Sequence, residues 1–327
     1  MDTYPISGKS LEKHYHINGE QFGQQYKEHL SNFYTWHQLG HAEYWILFPH
    51  NIGEYLSIDE TALSNGELYT IITNKKAKGK KGALVAMING TSSEKVIEVL
   101  KKIPLSKRRK VREVTLDMSG SMNKIVRASF PYATKVIDRF HVQKLAYDAM
   151  QEIRIKHRWE AIDHESEAIR DARFNQKTYE PTVLANGDTV KQLLARSRYL
   201  LFKSADKWTM KQKERAKILF AQYPDIEKAY SLTHSLRMIF THNFNKTVAL
   251  TKLAQWYDKV EKSGYKSFNS IMNTLQDHYR EILNYFDNRS TNASAESFNA
   301  KLKAFRATLR GVSDIRFFLF RVAKIWA

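Results

Sequence analysis

Glycine is distributed very unevenly along this chain of 327 residues. Ten of the 13 glycines lie at or before Gly120, and from there to Gly311 only Gly187 and Gly264 occur. Glycine and proline together are about half as frequent as the usual roughly 7% and 5% would give. Because both residues mark turns, their scarcity favours helices, and the uneven distribution predicts a change of domain after the first third of the chain.

The sequence from residue 54 to residue 138 is typical of alternating strands and helices. Strands are predicted at 54–59, 68–73 and 82–88, where apolar residues alternate or β-branched residues cluster. The sequence Thr91-Ser-Ser-Glu94 has capping-box spacing and predicts the start of a helix that ends before Pro104. A fourth strand at 114–117, a short helix at 119–129 and a fifth strand at 135–138 complete the order βββαβαβ.

From about residue 141 to residue 287 the apolar residues recur at three- and four-residue spacing, which predicts a block of helices. Two further helices are predicted at 293–309 and 313–326, with Gly311 as the stop between them. The expected organisation is a mostly helical segment at 1–53, a strand-rich α/β core at 54–142, an all-helical insertion at 143–288 and helices at 289–327 that complete the core.

The charge of the chain points to a polyanionic partner. There are 52 Lys+Arg residues against 34 Asp+Glu residues, a net charge of +18, and the pI is near 9.7. Fixed positive charge releases counterions from phosphates on binding, so nucleic acid is the leading candidate. An acidic membrane surface is the rival, but no long amphipathic basic helix supports it. The absence of cysteine excludes disulfides, thiolate metal sites and cysteine nucleophiles, and a cytoplasmic protein is expected.

Three carboxylates fall at informative positions on the predicted elements. Asp59 lies within the first strand, Asp117 ends the fourth strand, and Glu296 lies near the start of the penultimate helix. A carboxylate in an apolar strand is costly unless positive charge compensates it, and a divalent cation with carboxylate and phosphate ligands would do so. The alternatives are that Asp117 caps the next helix, Asp59 pairs with a lysine and Glu296 is solvated. Helical geometry puts Glu296 opposite the apolar stripe of its helix, so an active Glu296 requires a helix covered on both sides.

Several stretches carry a family resemblance. They look like the catalytic region of DDE transposases of the ISL-three insertion-sequence family, over roughly residues 55–325. The stretches are Ile58-Asp59-Glu60-Thr61, Leu116-Asp117-Met118-Ser119, Phe130-Pro131-Tyr132-Ala133, Asp138-Arg139-Phe140-His141-Val142 and Ala295-Glu296-Ser297-Phe298-Asn299. The Asp-Arg-Phe-His-Val block is the most specific of them.

The resemblance implies a ribonuclease-H-like mixed sheet interrupted by the helical insertion. It also implies that Asp59, Asp117 and Glu296 bind two Mg²⁺ ions, for which Mn²⁺ may substitute, and catalyse cleavage and strand transfer at the ends of an insertion sequence. Asp138, His141 and Asn299 are the implied auxiliary residues. The alternatives are a ribonuclease-H-like nuclease without strand transfer and a non-catalytic DNA-binding descendant of a transposase.

Basic residues supply the predicted contacts with double-stranded DNA, at the transposon ends and the target. Relatives in this family usually carry a cysteine-rich zinc finger and a helix-turn-helix before the first catalytic aspartate, and no cysteine precedes Asp59 here. The expectation is therefore either a separate DNA-recognition polypeptide or a truncated, inactive copy, and a homodimer or larger assembly on DNA is expected. The predicted DNA-binding residues are Lys75, Lys76, Lys78, Lys80, Lys81, Arg108, Arg109, Lys303, Arg306 and Arg310.

Overall fold

The computed structural model of the chain describes residues 1–63, 66–309 and 311–327. These residues divide into two compact units, which we call the sheet unit and the helical unit. The sheet unit comprises Met1–Asp138 and Asn288–Ala327, and the helical unit comprises Arg139–Asp287. None of the helices that the structure describes has the length and apolar character needed to span a membrane.

A single mixed sheet of six strands organises the sheet unit, in the order β1-β4-β3-β2-β5-β6. The pairs from β1 to β2 are antiparallel, whereas β2, β5 and β6 are parallel neighbours. This mixed sheet confirms the predicted fold class. The strands are β1 (Trp45–Leu47), β2 (Tyr55–Ala62), β3 (Leu68–Asn74), β4 (Leu84–Asn89), β5 (Glu113–Leu116) and β6 (Thr134–Ile137).

The prediction for residues 1–53 did not include strand β1. Its pairing with β4 runs through Ile46 and Met87. The strand has only three residues, too few for a periodic signal, and it is held at the edge of the sheet by a side chain. The Gln38 amide donates to the Leu47 carbonyl and accepts from the Leu47 amide, at 3.0 and 2.8 Å. The side chain of Gln38 thus satisfies backbone groups that an edge strand leaves open.

Helices cover both faces of the sheet and make up most of the helical unit. In the sheet unit, the N-terminal and connecting helices are α1 (Glu12–Tyr15), α2 (Gly19–Gln25), α3 (Ser93–Lys101), α4 (Leu105–Arg108) and α5 (Gly120–Ser129). The next helices are α6 (Arg139–Phe174), α7 (Val190–Arg196), α8 (Met210–Gln222), α9 (Pro224–His242), α10 (Lys246–Ser263), α11 (Lys266–Asp277), α12 (Tyr279–Leu283) and α13 (Tyr285–Asn288), followed by α14 (Ala293–Thr308) and α15 (Ile315–Trp326).

Two apolar cores lie on opposite faces of the sheet. On one face, Leu56 and Ile58 of β2 belong to the core that α3 and α5 complete. On the other face, Ile71 of β3 belongs to the core formed with Phe298 of α14 and the apolar side of α15. Because successive strand residues point to opposite faces, Asp59 faces the α14 side.

The helical unit follows the predicted three- and four-residue spacing. Helix α6 buries Val142, Ala146 and Ala149, and the indole nitrogen of Trp256 donates to the Leu232 carbonyl at 2.9 Å. Gly264 ends α10 in a left-handed conformation, with φ of 73°. Glycine is needed there because side chains rarely adopt a positive φ.

Candidate active site

Three aspartates lie at the same level on the three parallel strands. The pairing registers are Ser57 with Thr115 and Leu116 with Ile137. Continuing the strands by two residues from the first pair, and by one from the second, aligns Asp59, Asp117 and Asp138 in one row. Neighbouring strands are about 4.8 Å apart, so the row places adjacent aspartates at about that backbone spacing, with Asp59 inside β2 and Asp117 and Asp138 directly after β5 and β6. We call these residues the aspartate row.

Helix α14 is fixed to β2 by two buried asparagines. The Asn299 side chain donates to Asp59 Oδ2 at 2.8 Å, and the Asn292 side chain donates to the Ile58 carbonyl at 3.5 Å. Glu296 lies one helical turn from each asparagine, with Cβ atoms about 5–6 Å apart at such spacings. The auxiliary position predicted for Asn299 therefore coincides with a direct contact to Asp59.

The environment of Glu296 differs from the expectation of a helix covered on both sides. Glu296 is exposed, as are Ala300 and Lys303 on the same side of α14. A helix turns 100° per residue, so Glu296 is displaced by about 60° from Asn299, which faces the sheet. Glu296 thus occupies the margin of the sheet-facing side, and only one side of the helix is covered.

Backbone amides donate hydrogen bonds to the side chains of Asp59 and Asp117. The backbone amide of Glu60 donates to Asp59 Oδ1 at 2.9 Å, and that of Ser119 donates to Asp117 Oδ1 at 2.8 Å. Burial and the negative charges of Asp117 and Asp59 raise the pKa of Glu60. The region is therefore a concentration of negative charge within a basic protein.

The oxygen donors of Asp59 and Asp117 fit a hard divalent cation. Mg²⁺ is held by one or two carboxylates together with water and substrate phosphates. Among residues 1–63, 66–309 and 311–327, no group of three His, Asp or Glu side chains is placed to hold a metal ion. The described arrangement thus provides two neighbouring aspartates, without Glu296 as an assembled third ligand.

Asp138 and His141, the other two predicted auxiliary residues, fall in different units. Asp138 is fully buried at the end of the aspartate row. His141 is half-buried in the first turn of α6, in the helical unit.

A polar cluster that the sequence analysis did not identify lies on the same face as Asp117. Lys75 Nζ contacts Thr115 Oγ1 at 2.7 Å and Glu113 Oε1 at 3.5 Å. Asn288, shortly before α14, donates to Glu113 Oε2 at 3.1 Å. Burial lowers the pKa of Lys75, although Glu113 and Asp138 act in the opposite direction. Alternation of Glu113, Thr115 and Asp117 with apolar residues was the available signal in the sequence.

The predicted DNA-binding residues divide into exposed and internal side chains. Lys75 is internal, as described. Arg108 is buried and donates to the carbonyls of Ile103 and Ser129, at 2.9 and 2.7 Å. These contacts engage the charged groups of Lys75 and Arg108 within the protein, and phosphate contact by either residue stays a prediction. The exposed members are Lys76, Lys78, Lys80, Lys81, Arg109 and Lys303.

Helix α14 carries one buried basic residue, Arg306, and two exposed ones, Lys301 and Lys303. Arg306 is buried, pairs with Glu67 at 2.6 Å and lies over the Phe318 ring. Its role in DNA binding stays a prediction. Lys301, which the sequence analysis did not single out, donates to the Gly79 carbonyl at 3.0 Å and adds a charge beside the lysine-rich turn. Arg310 lies outside the described residues.

A mixed sheet with aspartates on its parallel strands, followed by a glutamate-bearing helix after a helical unit, defines the ribonuclease-H-like class of DDE enzymes. Residues 56–322 match the family model described as transposase, of the DDE type named for ISL-three elements. The chain therefore belongs to this transposase family. Comparisons with curated proteins and with solved structures gave no match.

Proposed function

We propose that this chain catalyses divalent-metal-dependent cleavage of DNA at the ends of an insertion sequence and the transfer of the cut strand to a target. The observation that carries the proposal is the alignment of Asp59 with Asp117 on parallel strands, with Asn299 of α14 bonded to Asp59. Membership of the transposase family supports the same reaction class.

In this proposal Asp59 and Asp117 hold the cation, and Glu296 contributes from the margin of α14. When bound, Mg²⁺ supplies positive charge that activates the attacking hydroxyl and stabilises the leaving oxygen, and Mn²⁺ takes similar oxygen ligands. Asn299 keeps the Asp59 carboxylate oriented, and the Ser119 amide does the same for Asp117. The Lys75 cluster anchors the segment that leads into α14 through Asn288.

The exposed lysines supply the DNA affinity. Each lysine or arginine that neutralises a phosphate releases counterions and contributes about 0.9 to the salt slope of binding. Such contacts carry little sequence information. We therefore also propose that a separate polypeptide recognises the element's ends, and that two or more copies of this chain bring two ends together.

A non-catalytic DNA-binding role is the second candidate. It is supported by the exposure of Glu296 and by the absence, among the described residues, of a group of three acids placed to hold one ion. A nuclease without strand transfer uses the same carboxylates and differs only in its products.

The deciding experiment incubates the protein with Mg²⁺ and either intact or pre-nicked element ends plus a target duplex. The unaltered protein is expected to give both cleaved and joined products, and Asp59→Asn is expected to give neither. The matched control is Asp163→Asn, whose carboxylate is exposed on α6, and it is expected to give both products. Cleavage without joined products would establish the nuclease. DNA binding without either product would establish the non-catalytic role.

A further inference from the structure

A pocket of about 360 Å³ in the helical unit combines aromatic rings with two guanidinium groups. It lies between the first turns of α6 and the end of α9, and all of its lining residues belong to that unit. The residues that carry the argument are Arg139, Phe140, Gln143, Tyr147, Phe202 and Arg237. The volume is at the lower end of the range for small-ligand sites, about 300–1,000 Å³.

The rings offer stacking surfaces. Phe140 is 46% exposed, although it is a large apolar side chain. Tyr147 and Phe202 pack edge to face, with ring centroids 5.0 Å apart. The Tyr147 hydroxyl donates a hydrogen bond to the Phe202 carbonyl at 3.2 Å. The pocket wall is therefore aromatic, with the tyrosine hydroxyl engaged in the wall itself.

The polar groups of the pocket are incompletely satisfied. The Gln143 amide nitrogen donates to the Thr233 carbonyl at 3.2 Å, whereas Gln143 Oε1 and Arg139 Nε are buried without a hydrogen-bond partner among the described residues. Buried polar groups are normally bonded, so the polar groups in this wall of the pocket are incompletely satisfied within the protein. No Asp or Glu is among the described residues that line the pocket, although Arg237 also borders a neighbouring groove, where a serine hydrogen bond and, to a smaller extent, the charge of Arg237 help to lower the pKa of Asp206.

A neighbouring groove provides a contrast. It is larger, about 750 Å³, and its aromatic side chains include Trp208 and Tyr230, but Asp206 and Glu227 also line it. The indole of Trp208 donates to the Leu200 carbonyl and the Tyr230 hydroxyl donates to the Lys203 carbonyl, both at 3.0 Å. That groove is thus internally satisfied and carries acids, which disfavours an anionic ligand.

We propose that the pocket binds one unpaired nucleotide, with its base stacked on Phe140 and its phosphate held by Arg139 and Arg237. Base stacking on aromatic rings tolerates any base, and guanidinium groups pair with phosphate in bidentate geometry. This inference rests on the proposed function, because it specifies how the DNA substrate is held when a strand is unpaired.

The test measures binding of a short single-stranded oligonucleotide that carries 2-aminopurine at its centre, to the full chain without divalent metal. Stacking quenches the fluorescence of this base, so quenching is expected with the unaltered protein. The expected loss of affinity for Phe140→Ala is about 5- to 150-fold, the range for removing one base-stacking ring. Free adenosine monophosphate carries both groups that the pocket is proposed to bind, so as a competitor it is expected to restore the fluorescence, and failure to compete at saturating concentration would overturn the inference.

Matched variants keep the test specific. Phe174→Ala removes an exposed ring at the far end of α6, and Arg170→Ala removes an exposed charge from the same helix. Arg237→Ala is expected to weaken binding at least tenfold, with Arg170→Ala and Phe174→Ala within twofold of the unaltered protein. Equal effects of the two arginine variants, or no quenching at all, would overturn the inference.

The inference and the proposed function fail separately. Asp59→Asn is expected to retain the quenching because the pocket contains no residue of the aspartate row. If Asp59→Asn loses cleavage but the unaltered protein shows no quenching, only the nucleotide pocket is contradicted. Quenching that depends on Phe140, combined with normal cleavage by Asp59→Asn, contradicts only the assigned catalytic site.

Discussion

Replacing Asn299 by alanine removes the 2.8 Å hydrogen bond between α14 and Asp59 Oδ2. A hydrogen bond to a charged group contributes about 1.5–3 kcal/mol, which corresponds to roughly 10- to 150-fold in an equilibrium constant. Mutation of a residue that hydrogen-bonds to a metal ligand typically lowers the metal affinity about 10- to 100-fold. Because Asp59 is half-exposed and water replaces part of the lost interaction, we expect about a tenfold effect.

The assay is a Mg²⁺ titration of DNA cleavage, together with calorimetric Mg²⁺ binding in the absence of DNA. Asn299→Ala is expected to raise the Mg²⁺ concentration at half-saturation about tenfold in both measurements, with unchanged circular dichroism. Ser297→Ala, at an exposed position two residues earlier on α14, is the control. An unchanged half-saturation in Asn299→Ala, or an equal change in Ser297→Ala, would refute the assigned role of Asn299.

Three further predictions concern charge. The salt slope of DNA binding is expected to fall by about 0.9 for Lys80→Ala if Lys80 neutralises one phosphate, measured by fluorescence anisotropy at several salt concentrations. Arg108→Ala is expected to leave the salt slope unchanged and to lower the free energy of unfolding by about 1–3 kcal/mol, since two buried carbonyls lose their donor. In the helical unit, burial raises the pKa of Asp188, but hydrogen bonds from Arg215 and Arg196 outweigh it and lower the pKa overall. The stabilisation by Asp188 is therefore present above the unfolded pKa of about 3.9 and lost as pH falls through the lower folded value; acid unfolding monitored by circular dichroism is expected to show a weaker pH dependence for Asp188→Asn.

Local patterns in the sequence were sufficient to predict most of the sheet. The runs containing Asp59 and Asp117 have the alternation or β-branched composition of strands, and both form strands or strand ends. The change of spacing near residue 140 corresponds to the start of α6 at Arg139. Strand β1 was missed because three residues are too short to have a period, and because its stability depends on pairing with β4 and on the distant side chain of Gln38.

Whether a charged side chain is buried or exposed was harder to predict than the helix or strand that carries it. Arg108 lies in a basic run and Arg306 follows Glu296 on its helix, and both were predicted to contact DNA. Both are buried because main-chain carbonyls accept hydrogen bonds from Arg108 and a carboxylate pairs with Arg306. Such partners lie far apart in the sequence, as Glu67 does from Arg306. The contact of Asn299 with Asp59 likewise joins residues separated by most of the chain, and no local pattern encodes it.

The central claim concerns ion binding by the two neighbouring aspartates, and calorimetric titration of the full chain with Mn²⁺ and with Mg²⁺ tests it most directly. We predict saturable binding by the unaltered protein, and loss of that binding in both Asp59→Asn and Asp117→Asn, with Asp163→Asn unaffected. Undiminished ion binding by the two row variants, in protein that remains folded, would contradict the assignment of the site.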